Sequence, residues 1–105
     1  MTPATVAVLR VLLLEPRKER YGLELSQAAG LDTGTVHPIL ARLEKVGWAE
    51  STWEELSPSQ AGRPRRRYYR LTPDGAELSR AALSRSLKKM PARFPLRPDR
   101  AGDAL

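Results

Sequence analysis

Residues 31–47, LDTGTVHPILARLEKVG, decide how the rest of the chain is read. Val36, Ile39, Leu40, Leu43 and Val46 fall at i, i+3, i+4, i+7 and i+10, the spacing that places apolar side chains on one buried stripe of a helix. Asp32 or Thr33 can cap its start, and Gly47 can end it in the left-handed conformation that glycine adopts at little cost. The opposite side carries Gly34, His37, Pro38, Ala41 and Lys45, flanked by Thr35 and Arg42. Small, polar and basic residues on that face would let a nucleic-acid groove approach closely, so 33–46 reads as a DNA recognition helix. Pro38 complicates its beginning, because its ring crowds the carbonyl of Gly34. Either the first turn is distorted or the regular helix begins nearer Thr35.

Upstream, Tyr21–Ala29 (YGLELSQAA) reads as a shorter helix with Tyr21, Leu25 and Ala28 on one face, broken by Gly30. Helix, glycine turn and second helix make a helix-turn-helix, in which the first helix braces the one that enters the groove. Residues 2–14, TPATVAVLRVLLL, predict an initial helix with Thr2 as N-cap, Pro3 in the first position, and Val6, Leu9, Leu12 and Leu13 inward. Pro16 stops it near Glu15. The RKER segment that follows is assigned no role beyond solubility.

Downstream, residues 48–55 (WAESTWEE) alternate as a half-buried strand with Ala49, Ser51 and Trp53 on one face. Residues 66–71 (RRYYRL) supply a second strand with Tyr69 and Leu71 inward. The intervening LSPSQAGRPR contains Pro58, Gly62 and Pro64 and is expected to be a long, mobile hairpin loop without regular structure. Three helices followed by such a hairpin make a winged helix, a mainly α fold with a small β-hairpin. The wing carries Arg63, Arg65, Arg66 and Arg67, whose planar guanidinium groups suit phosphate contacts or insertion into a minor groove. An ordinary solvated basic turn is the other reading of the same residues.

Thr72 and Pro73 open a last helix running to about Met90. Leu78, Ala81 and Ala82 share one side of it, while Ala76, Leu83, Leu87 and Met90 lie nearly opposite. A small domain can cover one such face, so the second, through Leu83, Leu87 and Met90, is expected to form a homodimer. Packing of that stripe on the first helix is the alternative. The organisation expected is a DNA-binding domain at 1–72, a dimerisation helix at 73–90 and a disordered, proline-containing tail at 91–105.

Composition narrows the function. The 105 residues have room for one small core. There is no cysteine and one histidine, which excludes disulfides and leaves His37 without the companions a zinc site needs. No paired carboxylates stand beside a base, so neither catalytic residues nor a cofactor is expected. The chain has no signal peptide or membrane-length apolar run, and a soluble cytoplasmic protein is expected. The net charge of +6 is unevenly distributed, residues 1–60 carrying −2 and residues 61–105 carrying +8. Such asymmetry points to a polyanionic partner met mainly by the second half.

Three segments, YGLEL at 21–25, TGTVHPILARLEKVGW at 33–48 and GRPRRRYYRLTPDG at 62–75, resemble the PadR-like family of bacterial winged-helix transcriptional regulators. The resemblance covers about Val6 to Leu78, and the basic wing, its tyrosines and the Thr-Pro-x-Gly helix start are its most specific part. A single helix after the wing is similar to the short PadR-like subfamily, which dimerises through that helix. The resemblance implies a dimer that binds double-stranded operator DNA and represses transcription, often with release by a small molecule. Base readout is expected from Thr33, Thr35, His37 and Arg42 with Pro38 beside them, and phosphate contact from Lys45 and the wing arginines. His37 stands where the family commonly has tyrosine. Residues 73–90 contain no Trp, Tyr or Phe, so nothing there supports a stacked aromatic effector. A winged-helix module that binds protein through the same weakly charged face is the rival expectation.

Overall fold

Thr2 opens the first helix, α1 (Pro3–Leu14), its hydroxyl accepting from the Thr5 N–H at 3.1 Å. The structure, a computed structural model, describes residues 1–88. In chain order α1 is followed by β1 (Arg20–Tyr21), α2 (Gly22–Ala29), α3 (Thr33–Lys45), β2 (Ala49–Trp53), α4 (Pro58–Ala61), β3 (Arg67–Leu71) and α5 (Pro73–Lys88). One core joins Val8, Leu9, Val11 and Leu12 of α1 to Leu25 of α2, to Val36, Ile39, Leu40 and Leu43 of α3, and to Ala49, Leu71 and Ala76. The buried arc of α1 is wider than the expected stripe, with Val8 and Val11 buried and Val6 and Leu13 only half-buried. The cause is that α1 packs on α2, α3 and α5 together.

The fold is the expected winged helix, mainly helical with a small antiparallel sheet. The sheet has three strands rather than two, in the order β1-β3-β2. Arg20 and Tyr21 pair with Tyr69 and Tyr68, a two-residue strand too short to leave an alternation in the sequence. The RKER segment therefore does more than keep the protein soluble. Arg20 is buried to 8% exposure and lies 3.8 Å from Glu15, and Arg17 donates to the Leu71 carbonyl at 3.2 Å.

β2 and β3 pair in register from Ala49↔Leu71 to Trp53↔Arg67. Ala49, Ser51, Trp53, Tyr69 and Leu71 share one face, as expected, although Trp53 lies beyond the core and is exposed. The 56–65 segment is not irregular throughout. Ser57 and Gln60 form a reciprocal capping box around α4, with the Ser57 N–H donating to Gln60 Oε1 at 3.0 Å and Gly62 closing the turn at φ +70°. A proline in the first turn and a Ser-x-x-Gln box are sufficient local signals for a single helical turn.

Thr72 caps α5 as expected, accepting from the Gly75 N–H at 2.9 Å. Ala76, Ser79 and Ala82 are buried, and Leu83 packs half-buried on the core. Ala82 thus shares an arc with Ala76 and Leu83, centred on Ser79, whereas Leu78 and Ala81 face outward. The helical wheel separated these residues because the centre of the arc is polar. The Leu87 side chain, Met90 and the 91–105 tail lie outside the described residues.

Candidate nucleic-acid interface

The ends of α3 are fixed by backbone bonds. Asp32 supplies the cap through its carbonyl, which accepts from Thr35 at 2.9 Å and from Val36 at 3.0 Å. That shared bond tightens the first turn, and the helix begins at Thr33 with Pro38 inside it. Gly34, the residue whose carbonyl Pro38 leaves unpaired, is exposed, so water can reach it. At the other end Gly47 takes φ +83°, its N–H meets the Glu44 carbonyl at 3.1 Å, and the Trp48 N–H meets the Leu43 carbonyl at 2.9 Å. These paired bonds are the Schellman closure that a glycine permits. The chain leaves the helical path here, so Val46, expected in the buried stripe, is 64% exposed.

The same corner holds α5. The Trp48 carbonyl accepts from the Thr72 N–H at 3.0 Å, the Thr72 hydroxyl donates to the Gly47 carbonyl at 2.9 Å, and a Cβ on Gly75 would overlap the Trp48 carbonyl. The end of α3 and the start of α5 are therefore one rigid junction. The Thr-Pro-x-Gly segment builds it.

The outward face of α3 presents Gly34, Thr35, His37, Pro38, Ala41, Arg42 and Lys45, all exposed, with Thr33 half-buried at its edge. Neither Arg42 nor Lys45 has an ion pair among the described residues. His37 sits on the flank toward α2, and its imidazole rests against Gly22. A Cβ at Gly22 would overlap that ring, so the glycine makes room for the His37 side chain in this position.

The wing arginines are not equivalent. Arg63 grips Glu54 with both guanidinium nitrogens, at 2.6 and 2.8 Å. Glu54 also donates its N–H to the Arg66 carbonyl at 2.8 Å and accepts the Arg66 N–H at 3.4 Å, so one residue closes both ends of the loop. The Arg63 guanidinium holds the Glu54 carboxyl down to about 2. Arg66 lies over the Tyr21 ring at 4.1 Å, and Tyr21 meets Tyr68 edge-on at 5.8 Å. Arg67 stacks over Trp53 at 5.0 Å and reaches Glu44 of α3 at 3.4 Å, where the Ser51 hydroxyl also donates at 2.6 Å. Arg65 is exposed and has no ion pair or ring contact among the described residues.

All ten residues that the sequence offers for DNA contact lie on two elements, the outer face of α3 and the wing, and Arg67–Glu44 ties the two. The sequence pattern gives Tyr21 only a place on the face of the second helix and does not mark Glu54, Glu44 or Gly22. A carboxylate at the end of β2 carries no signal of its own until the hairpin folds back to place Arg63 beside it. Among the described residues no group of three or more His, Cys, Asp or Glu is placed to hold a metal ion, and no helix is long and apolar enough to cross a membrane.

A helix-turn-helix followed by a basic two-stranded wing defines a winged-helix regulator. Residues 8–81 match the model of the transcriptional regulator PadR-like family, and the chain belongs to that family. No curated protein sequence matches it. Among solved structures, it is similar to a transcriptional regulator from Clostridium thermocellum, at 26% identity and a TM-score of 0.64 over 82% of each chain. A probable transcriptional regulator from Pseudomonas aeruginosa gives 25% identity and a TM-score of 0.67 over 95% of this chain and 70% of the other. The PcaV transcriptional regulator from Streptomyces coelicolor gives 25% identity and a TM-score of 0.63 over 81% and 57%.

Proposed function

We infer that this regulator is a dimeric repressor that reads operator DNA with α3 in the major groove and the wing on the backbone or an adjacent minor groove. The observation that carries this is the outer face of α3. It is exposed, free of ion pairs among the described residues, and held at both ends by a rigid backbone. Gly34, Pro38 and Ala41 keep it low enough for close approach, while Thr33, Thr35, His37 and Arg42 offer hydrogen bonds to base edges. Lys45 and the wing supply phosphate contacts, which set affinity rather than sequence choice. A single α3 covers one half-site, and pairing two through α5, with Leu87 and Met90 as the contact beside a Leu83 already half-buried on its own core, gives the two-fold arrangement that paired half-sites require. Such a protein works in the cytoplasm and catalyses no reaction. PcaV has also been solved in complex with its natural ligand, which is compatible with a small-molecule effector here, although no side chain of this chain is assigned to one.

Selection from random duplex DNA tests the proposal. Enrichment of a palindrome with half-sites about one helical turn apart is expected. Enrichment of a single unpaired site would refute the dimer, and no enrichment at low salt would favour a protein-binding module instead.

A further inference from the structure

Four arginines within a short wing invite the assumption that all four meet DNA. The geometry divides them. Both forks of the Arg63 guanidinium are occupied by Glu54, at 2.6 and 2.8 Å, the bidentate arrangement that is strongest and most directional. The Glu54 side chain is only 10% exposed under that cover. Moving Arg63 onto a phosphate would give up both of these bonds and leave the Glu54 carboxylate without its partner, beside an incoming polyanion. Breaking a bidentate, charge-assisted pair to leave one charge facing a like charge is unfavourable. Glu54 also receives the Arg66 N–H and bonds the Arg66 carbonyl, so the carboxylate that holds Arg63 is itself anchored at the base of the loop. Arg65 faces none of these costs, being exposed and unpaired among the described residues, and Pro64 before it restricts the backbone that presents it.

We propose that Glu54 withdraws Arg63 from the DNA-binding set and makes it a strut that closes the wing, leaving Arg65 as the wing's principal contact with the polyanion. This rests on the DNA-binding reading above. Arg63 is then a positioning residue, and Glu54 is the residue that decides which guanidinium the wing delivers.

The test is fluorescence anisotropy of the full chain on a mixed-sequence DNA duplex across a salt series. Each phosphate contact contributes about 0.9 to the slope of log affinity against log salt. Arg65→Gln is expected to reduce the slope by about that amount per bound protomer, and Arg63→Gln to leave it at the wild-type value. The double variant Glu54→Gln/Arg63→Gln removes the stranded carboxylate and guards against a wing that loosens in Arg63→Gln alone. Its slope should also equal that of wild type. A slope lowered equally by Arg63→Gln, by the double variant and by Arg65→Gln would overturn the strut, and an unchanged slope for Arg65→Gln would overturn its assignment. Wild-type protein with no affinity for the duplex at low salt would instead sink the DNA-binding reading itself.

Discussion

Gly75→Ala is a change whose sign distinguishes two physical effects. Alanine is the better helix former by about 1 kcal/mol, and Gly75 lies inside α5, so propensity alone predicts a more stable protein. The packing predicts the reverse. A Cβ at Gly75 would come within 2.6 Å of the Trp48 carbonyl carbon and 2.7 Å of its Cα, besides overlapping the carbonyl oxygen. Carbon atoms in contact rest at about 3.5–4.0 Å, so the start of α5 and the end of α3 must separate by roughly 1 Å. Both sides are backbone and cannot yield by changing a rotamer. The displacement would stretch the bonds from the Thr72 N–H and hydroxyl to the Trp48 carbonyl, now 3.0 and 3.3 Å, each worth about 1 kcal/mol. Overpacking adds about 1–3 kcal/mol. Set against the propensity gain, the net loss is on the order of 2 kcal/mol, or roughly 10 °C in Tm for a domain of this size. Urea and thermal unfolding followed by far-UV circular dichroism would measure it. A Tm equal to or above that of wild type would refute the account of the junction.

Gly34→Ala is the counterpart. A Cβ there meets nothing within 4 Å, so stability should rise by about 0.5–1 kcal/mol, read in the same unfolding assay. The Glu54–Arg63 pair gives a prediction in pH. Because Arg63 lowers the folded carboxyl from its ordinary 4.5 to about 2, the pair's contribution is complete above about 4.5 and is lost as pH falls toward 2. A carboxyl-carbon NMR titration should place the Glu54 midpoint near 2 in wild type and return it toward 4.5 in Arg63→Gln; the same midpoint in both would contradict the assigned cause.

Much of the fold was legible because its signals are local. Thr2, Pro3, Gly47 and Thr72 act within a few residues of themselves, and Leu40 and Leu43 repeat at a helical period, so α1, α3 and the start of α5 could be placed without knowing their neighbours. Strand β1 was hidden because two residues are too few for alternation and their partners lie nearly fifty positions away. The faces of α5 were misdivided because Ser79, at the centre of its buried arc, is polar. Val46 leaves the buried stripe because α3 ends at Lys45, one residue before the apolar period does.

For the interface, the order of residues along the chain already gives the outer face of α3 and the basic wing after it. That is a matter of helical periodicity and composition, both carried by neighbours along the chain. Which of these groups are engaged within the protein follows from the folded chain. His37 rests on Gly22, Arg67 reaches back to Glu44, and Arg63 is taken by Glu54 while Arg65 is not. Those outcomes depend on distances between side chains far apart in sequence. Charge counted along a chain does not distinguish a guanidinium already paired from one left for a partner.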